Sequence, residues 1–204
     1  MQYIIPIAVL LFSVIVHEVA HGFVAYKCGD DTAKLMGRLT LNPLYHVDLI
    51  GTILLPLTLV LAGLPAFGWA RPVPINVLKL KNPKKDIIYV SAAGVTANIL
   101  LAIVSGIIMF IIRNYFANVE TMEYIYVILQ YMVVINVVLF VFNMIPLPPL
   151  DGSRIVYYLL PRELAQKYAK IERYGFWIIV LLLITGVLWD IIRPIVNFLV
   201  KLIS

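Results

Sequence analysis

The sequence predicts an all-α polytopic membrane protein with four to five spanning helices, a re-entrant segment and a small extended or β element. Three observations carry that expectation. Of the 204 residues, 62% are hydrophobic and 13% charged, and the mean hydropathy is +0.97, far from the composition of soluble globular domains. Several runs reach the roughly 20 apolar residues that a hydrocarbon core of about 30 Å demands. The basic residues flank apolar segments. Little is left over for a soluble unit, so residues 1–204 are read as one membrane domain.

The first element is the apolar stretch Ile4 to Tyr26, closed by Lys27, Cys28 and Gly29, which form a helix stop at a membrane surface. The preceding residues lack a basic leader and a small-residue cleavage site, so the stretch reads as a retained helix. Lys27 to Asp48 is a polar connection. Leu49 to Phe67 is apolar but carries Pro56 and Pro65, and the proline-rich FGWARPVPINVLKLKNPKK that follows suggests extended or hairpin structure. Ile87 to Ile112 and Tyr124 to Ile145 are each long enough to span. Pro146, Pro148 and Pro149 then break the chain, and a helix starts near Asp151 or Gly152. A polar stretch runs to Arg173. The last apolar region, from Tyr174, is interrupted by Asp190, Arg193 and Pro194, which predicts one span plus a short interfacial or returning piece.

A single cysteine, Cys28, excludes an internal disulfide and the multi-cysteine zinc frameworks. Any metal must therefore use histidine and carboxylate. The formal charge of +5 is assigned to loops beside anionic lipid headgroups rather than to nucleic acid.

The decisive chemistry lies in His17-Glu18-Val19-Ala20-His21, an HExxH pattern inside the first apolar helix. Spacing i, i+4 stacks both imidazoles on one helical face, where they can reach one Zn²⁺, and Glu18 lies about 100° round the helix. Zinc lowers the pKa of water to roughly 7, and a neighbouring carboxylate can accept the proton and later protonate a leaving amine. Ionisable groups at membrane depth are costly, about 2.5 kcal/mol or more for a charge, which favours function over accident.

An open coordination position needs a third protein ligand. His46 sits in a polar loop and is expected to be solvated or hydrogen-bonded. Among carboxylates near apolar sequence, Asp48, Asp86, Asp151 and Asp190 remain. Asp151 stands out because it follows a proline break in a membrane helix, and non-helical backbone at that depth needs protein or a wet cavity around it. The competing reading is that Asp151 only N-caps the next helix. Residue chemistry alone leaves these two open.

HEVAHG together with NMIPLPPLDG resembles the site-2 protease family of intramembrane metalloproteases, in the order expected and over most of the chain. The stretches Gly68 to Pro74 and Ala93 to Asn98 are similar to compact members without appended domains, although Val95 stands where relatives often carry proline. The resemblance implies that Asp151 is the third zinc ligand beside His17 and His21, and that Asn143 assists the substrate backbone or oxyanion. It further implies cleavage of peptide bonds in or near transmembrane segments of other proteins, regulatory proteins or signal-peptide remnants among them. The alternative is a transporter or metal-handling protein using the same ligands, since intramembrane His and Asp also line ion pathways. No oligomeric state is predicted.

Co-ligation demands that Asp151 lie at the depth of His17 and His21, which requires Leu49 to Phe67 to be re-entrant rather than crossing. Charge agrees. The re-entrant arrangement puts Lys27 to Asp48, Arg71 to Lys85 and Arg154 to Arg173 on one side, and that excess of Lys and Arg marks the cytoplasm. The expectation is therefore an integral plasma-membrane protein of a prokaryote with its site toward the cytoplasmic side. His21 and His17 precede Lys27 by roughly 9 to 15 Å at the helical rise, below the headgroups. Asn136 is expected to bond between helices, while Asn98 stays open between packing and function. The stretch Trp69 to Pro74 could hold an extended substrate by β-augmentation.

Overall fold

The computed structural model describes residues 4–61, 63, 68–116 and 119–204, and most of these are helical. In chain order the helices are α1 (Ile4–Lys27), α2 (Thr32–Leu35), α3 (Leu55–Leu61), α4 (Pro83–Tyr115), α5 (Glu120–Asn143), α6 (Asp151–Leu159), α7 (Arg162–Ala169), α8 (Glu172–Ile184) and α9 (Val187–Ile203). Among the described residues, α1, α4 and the Met122–Asn143 stretch of α5 are long and apolar enough to cross a membrane, and α8 with α9 adds a fourth if that bent pair is one span.

Local chemistry explains the boundaries. Pro83 opens α4, where its missing N–H costs nothing, and the Asp86 carboxylate accepts from the Asn82 backbone N–H at 2.7 Å, so the helix starts before the apolar run does. α5 stops at Asn143 because Pro146 cannot donate and disfavours helical backbone before it. Two tight turns follow, Leu147 N–H to Ile145 carbonyl at 2.8 Å and Leu150 N–H to Leu147 carbonyl at 3.0 Å. They deliver the chain to α6.

Two apolar regions bear on the topology. Leu49 to Leu61 forms a π-helical turn of six residues running into the seven residues of α3, roughly 20 Å if counted at the α-helical rise and short of a crossing. Residues 62 and 64–67 of that predicted segment lie outside the described ones. The last apolar region breaks at Thr185–Gly186 rather than at Asp190 to Pro194: Gly186 has φ +77°, which L side chains rarely adopt, and α8 and α9 meet there at a 78° bend. α9 runs on through Pro194.

No β-strand forms among the described residues, and residues 68–76, where the β element was expected, have no regular secondary structure. Residues 68–76 lack the alternating donors of a ladder because Pro72 and Pro74 have no N–H. Their remaining groups bond elsewhere: Trp69 N–H to the Gly51 carbonyl at 3.1 Å and Arg71 N–H to the His46 carbonyl at 2.8 Å.

α4 is the central helix, packed along both α1 and α5 and reaching α6 and α9. One apolar cluster joins Ala102 and Met109 of α4 to Val133, Val137 and Val141 of α5 and Leu188, Ile192 and Val196 of α9. A second, of Ala25, Leu80, Ile87 and Val90, seals α1 to α4 near the basic loops. The outward faces stay apolar, with Leu100, Ile107 and Phe110 of α4 all exposed. Such a surface suits lipid and not water.

Candidate metal centre

His17 and His21 lie one turn apart on α1 and turn the same way, toward α4 and the start of α6. Their Nε2 atoms are 3.0 Å apart. The Asp151 Oδ2 atom sits 3.1 Å from the first and 3.2 Å from the second. All three residues are buried, each less than a tenth exposed. The ligand atoms thus form a nearly equilateral triangle.

The far side of each ring decides what that triangle is. His21 Nδ1 lies 2.6 Å from the Val90 carbonyl, which can only accept, so Nδ1 carries the proton and Nε2 presents a lone pair. His17 Nδ1 lies 2.6 Å from Asn98 Oδ1, and the same assignment follows. For neutral imidazoles two lone pairs and a carboxylate oxygen therefore converge, and Asp151 Oδ2 is buried without a hydrogen-bond partner. Such a cluster repels itself unless a cation stands at its centre. Zinc bonds of about 2.0 to 2.2 Å to nitrogen and oxygen set tetrahedral ligands roughly 3.3 Å apart, close to the spacing observed. The donor set fits the metal.

Asp151 does not cap its helix. The cap position belongs to Leu150, Asp151 is the first helical residue, and no side-chain cap bond is made. The other carboxylates are engaged elsewhere or exposed: Asp48 accepts from the N–H groups of Ile50 and Gly51, Asp86 from Asn82, and Asp190 is exposed on α9. His46 is fully buried, its Nε2 donating to the Thr40 carbonyl at 2.8 Å.

Glu18 is half-buried, and its Oε2 accepts from the Val73 N–H at 2.8 Å. That contact lays the 68–76 segment beside Glu18. Arg38, 5% exposed, fastens the same segment by donating from Nη2 to the Arg71 carbonyl at 2.8 Å and the Pro72 carbonyl at 3.2 Å. Asn143 is not joined to the cluster: its Nδ2 donates back to the Leu139 carbonyl of its own helix at 3.0 Å.

Three contributors escape a reading of the sequence. Arg38 sits in a loop with no motif around it, and Val73 acts through its backbone. Gly94 is a packing glycine by pattern, yet a Cβ there would stand 2.6 Å from His17 Cε1, His17 Nε2 and His21 Nε2. On the proline break, the Tyr168 hydroxyl donates to the Pro146 carbonyl at 2.8 Å.

Comparison with known proteins gives a consistent result. The profile of Peptidase family M50 matches residues 5–121 and 104–185. A Bacillus subtilis (strain 168) protein described as "Putative zinc metalloprotease YwhC" is 39% identical over 205 residues, covering 96% of this chain and 89% of the relative. A Mycolicibacterium smegmatis protein described as "Putative zinc metalloprotease Rip2" is 30% identical over 187 residues, covering 91% of this chain and 69% of the relative. No solved structure matches the chain significantly.

Proposed function

Since this chain belongs to peptidase family M50, we propose that it is an intramembrane zinc metalloprotease, holding its metal through His17 Nε2, His21 Nε2 and Asp151 Oδ2 and using Glu18 as general base. The observation that carries the ligand set is the convergence of His17 Nε2, His21 Nε2 and Asp151 Oδ2 within 3.0 to 3.2 Å of one another. Bound zinc lowers the pKa of water and polarises a carbonyl. Glu18, the next residue along the helix from His17, accepts the proton of the attacking water at its carboxylate and returns it to the leaving amine. Asn143 can exchange its bond to the Leu139 carbonyl for one to the developing oxyanion.

The substrate is a peptide bond in or beside another protein's transmembrane segment. A helical substrate has its carbonyls locked in hydrogen bonds, so cleavage needs extended chain. Residues 68–76 offer backbone groups fastened next to Glu18 by Val73 and by Arg38, against which an extended substrate could pair. The metal-transport alternative has no use for a carboxylate beside an open metal position, and the family affiliation does not favour it.

The finer topology belongs to the same proposal. With α1, α4 and α5 crossing and Leu49 to Phe67 re-entrant, the chain after α5 emerges on the side of Lys27, as the meeting of Asp151 with the two histidines requires. The C-terminal pair α8 and α9 brings the number of spans to four or five. Basic residues on that side orient the site toward the cytoplasm. The bacterial relatives support a prokaryotic plasma membrane.

The test is Glu18→Gln in purified full-length protein. It should retain zinc at the wild-type level and lose cleavage of single-span substrates by at least about a thousandfold, since both proton transfers go through one carboxylate. Cleavage that persists in this variant sinks the assignment of Glu18.

A further inference from the structure

We propose that Asn136 and Ser13 are positioning residues for the metal centre: through Asn98 they set the tautomer and orientation of His17. This rests on the metal-centre reading above and extends it to a third helix.

The three side chains are fully buried and lie on three different helices, Ser13 on α1, Asn98 on α4 and Asn136 on α5. Asn98 Oδ1 faces His17 Nδ1 at 2.6 Å. Its Nδ2 donates to Asn136 Oδ1 at 2.8 Å and, more weakly, to the Ser13 carbonyl at 3.4 Å. Asn136 Nδ2 donates to Ser13 Oγ at 2.8 Å and to the Met132 carbonyl at 2.8 Å. All four amide N–H groups are used.

Direction is what separates this chain from ordinary interhelical adhesion. The Met132 carbonyl can only accept, so it forces the Asn136 amide nitrogen to its side and turns Oδ1 toward Asn98. Asn136 Oδ1 in turn can only accept, which draws Asn98 Nδ2 to it and leaves Asn98 Oδ1 facing His17. Facing an acceptor, His17 must carry its proton on Nδ1 and offer a lone pair at Nε2. A backbone carbonyl on α5 thus dictates which nitrogen of an α1 histidine is free for metal. Flipping either amide would set N–H against N–H or oxygen against oxygen among fully buried side chains, at the full cost of a buried unsatisfied group. His21 needs no such relay because the Val90 carbonyl meets its Nδ1 directly at 2.6 Å.

The same bonds hold α5 against α1. Asp151 follows α5 and the histidines ride on α1, so the relay also supports the relative depth of the third ligand. Partners of metal-bound histidines typically change metal affinity by about 10- to 100-fold when removed.

The experiment is a zinc competition titration with a chromophoric chelator on the full-length protein in detergent, backed by the visible spectrum of the Co²⁺-substituted form. Variants are Asn98→Leu, Asn136→Leu, their double variant, Ser13→Ala and the packing control Val137→Ala. Asn98→Leu should weaken zinc binding about 10- to 100-fold, and Asn136→Leu by several fold with an altered Co²⁺ band. The double variant should lose no more than Asn98→Leu alone, because one acts through the other. Val137→Ala, in the same helix, should lower Tm and leave affinity unchanged. If Asn136→Leu fails to fold, Ser13→Ala carries the test with a smaller loss of affinity in the same direction. Wild-type affinity and spectrum in the folded Asn136 or Ser13 variant, or additive losses in the double variant, overturn the relay. A wild-type chain that binds no zinc overturns the metal-centre reading as well.

Discussion

At Gly94 a single hydrogen, in place of a methyl group, leaves the room that two imidazoles occupy. An added Cβ would stand 2.6 Å from the Nε2 atoms of both His17 and His21, so Gly94→Ala should weaken zinc binding at least tenfold while helix content, read by circular dichroism, is unchanged or higher. Alanine is the better helix former by about 1 kcal/mol, and a loss of zinc together with a loss of helix would point instead to misfolding. This residue illustrates what was readable and what was not. The pairing of His17 and His21 is a local fact of helix geometry and follows from spacing alone. Asp151 needed the family resemblance, because 130 residues of chain path separate it from His21 and only the parity of crossings brings them together. The roles of Gly94, Asn98 and Asn136 depend on how three helices are rotated about their axes, which hydropathy does not encode.

Among the elements, the irregular segment 68–76 links the Glu18 carboxylate to the surrounding loops. Its two prolines remove donors, so it cannot join a sheet of its own and is tied down from outside by Arg38, Gly51 and His46. Arg38→Met should free the Arg71 and Pro72 carbonyls and lower cleavage about tenfold, in proportion to one charged hydrogen bond of roughly 1.5 kcal/mol. Zinc content should not change. Equal loss of zinc and activity would show that the arginine supports the metal site rather than the segment. The end of α5 was legible at the Pro146 break, whereas the start of α4 was not: Pro83 to Lys85 read as part of the extended proline-rich stretch, yet they form the first turn of the helix. The bend between α8 and α9 was misplaced onto Asp190 to Pro194 because charges and proline are conspicuous, whereas the backbone turns at Gly186, whose φ of +77° the sequence does not advertise.

For the whole molecule, membrane character was the plainest property of all, since composition settles it before any motif is considered. The proposed orientation rests on the basic loops and has its own check. In a Cys28-free background in intact cells, Lys84→Cys should resist a membrane-impermeant maleimide and Asn114→Cys should react; the reverse pattern would place the site on the outer side. Everything in the account depends on one shared ion bound by groups from the first helix and from the break after α5. Elemental analysis of purified wild type and Asp151→Ala, matched for folding by Tm, tests this most directly. The account predicts about one zinc per wild-type chain and little or none in the variant, and a full complement of zinc in Asp151→Ala would contradict it.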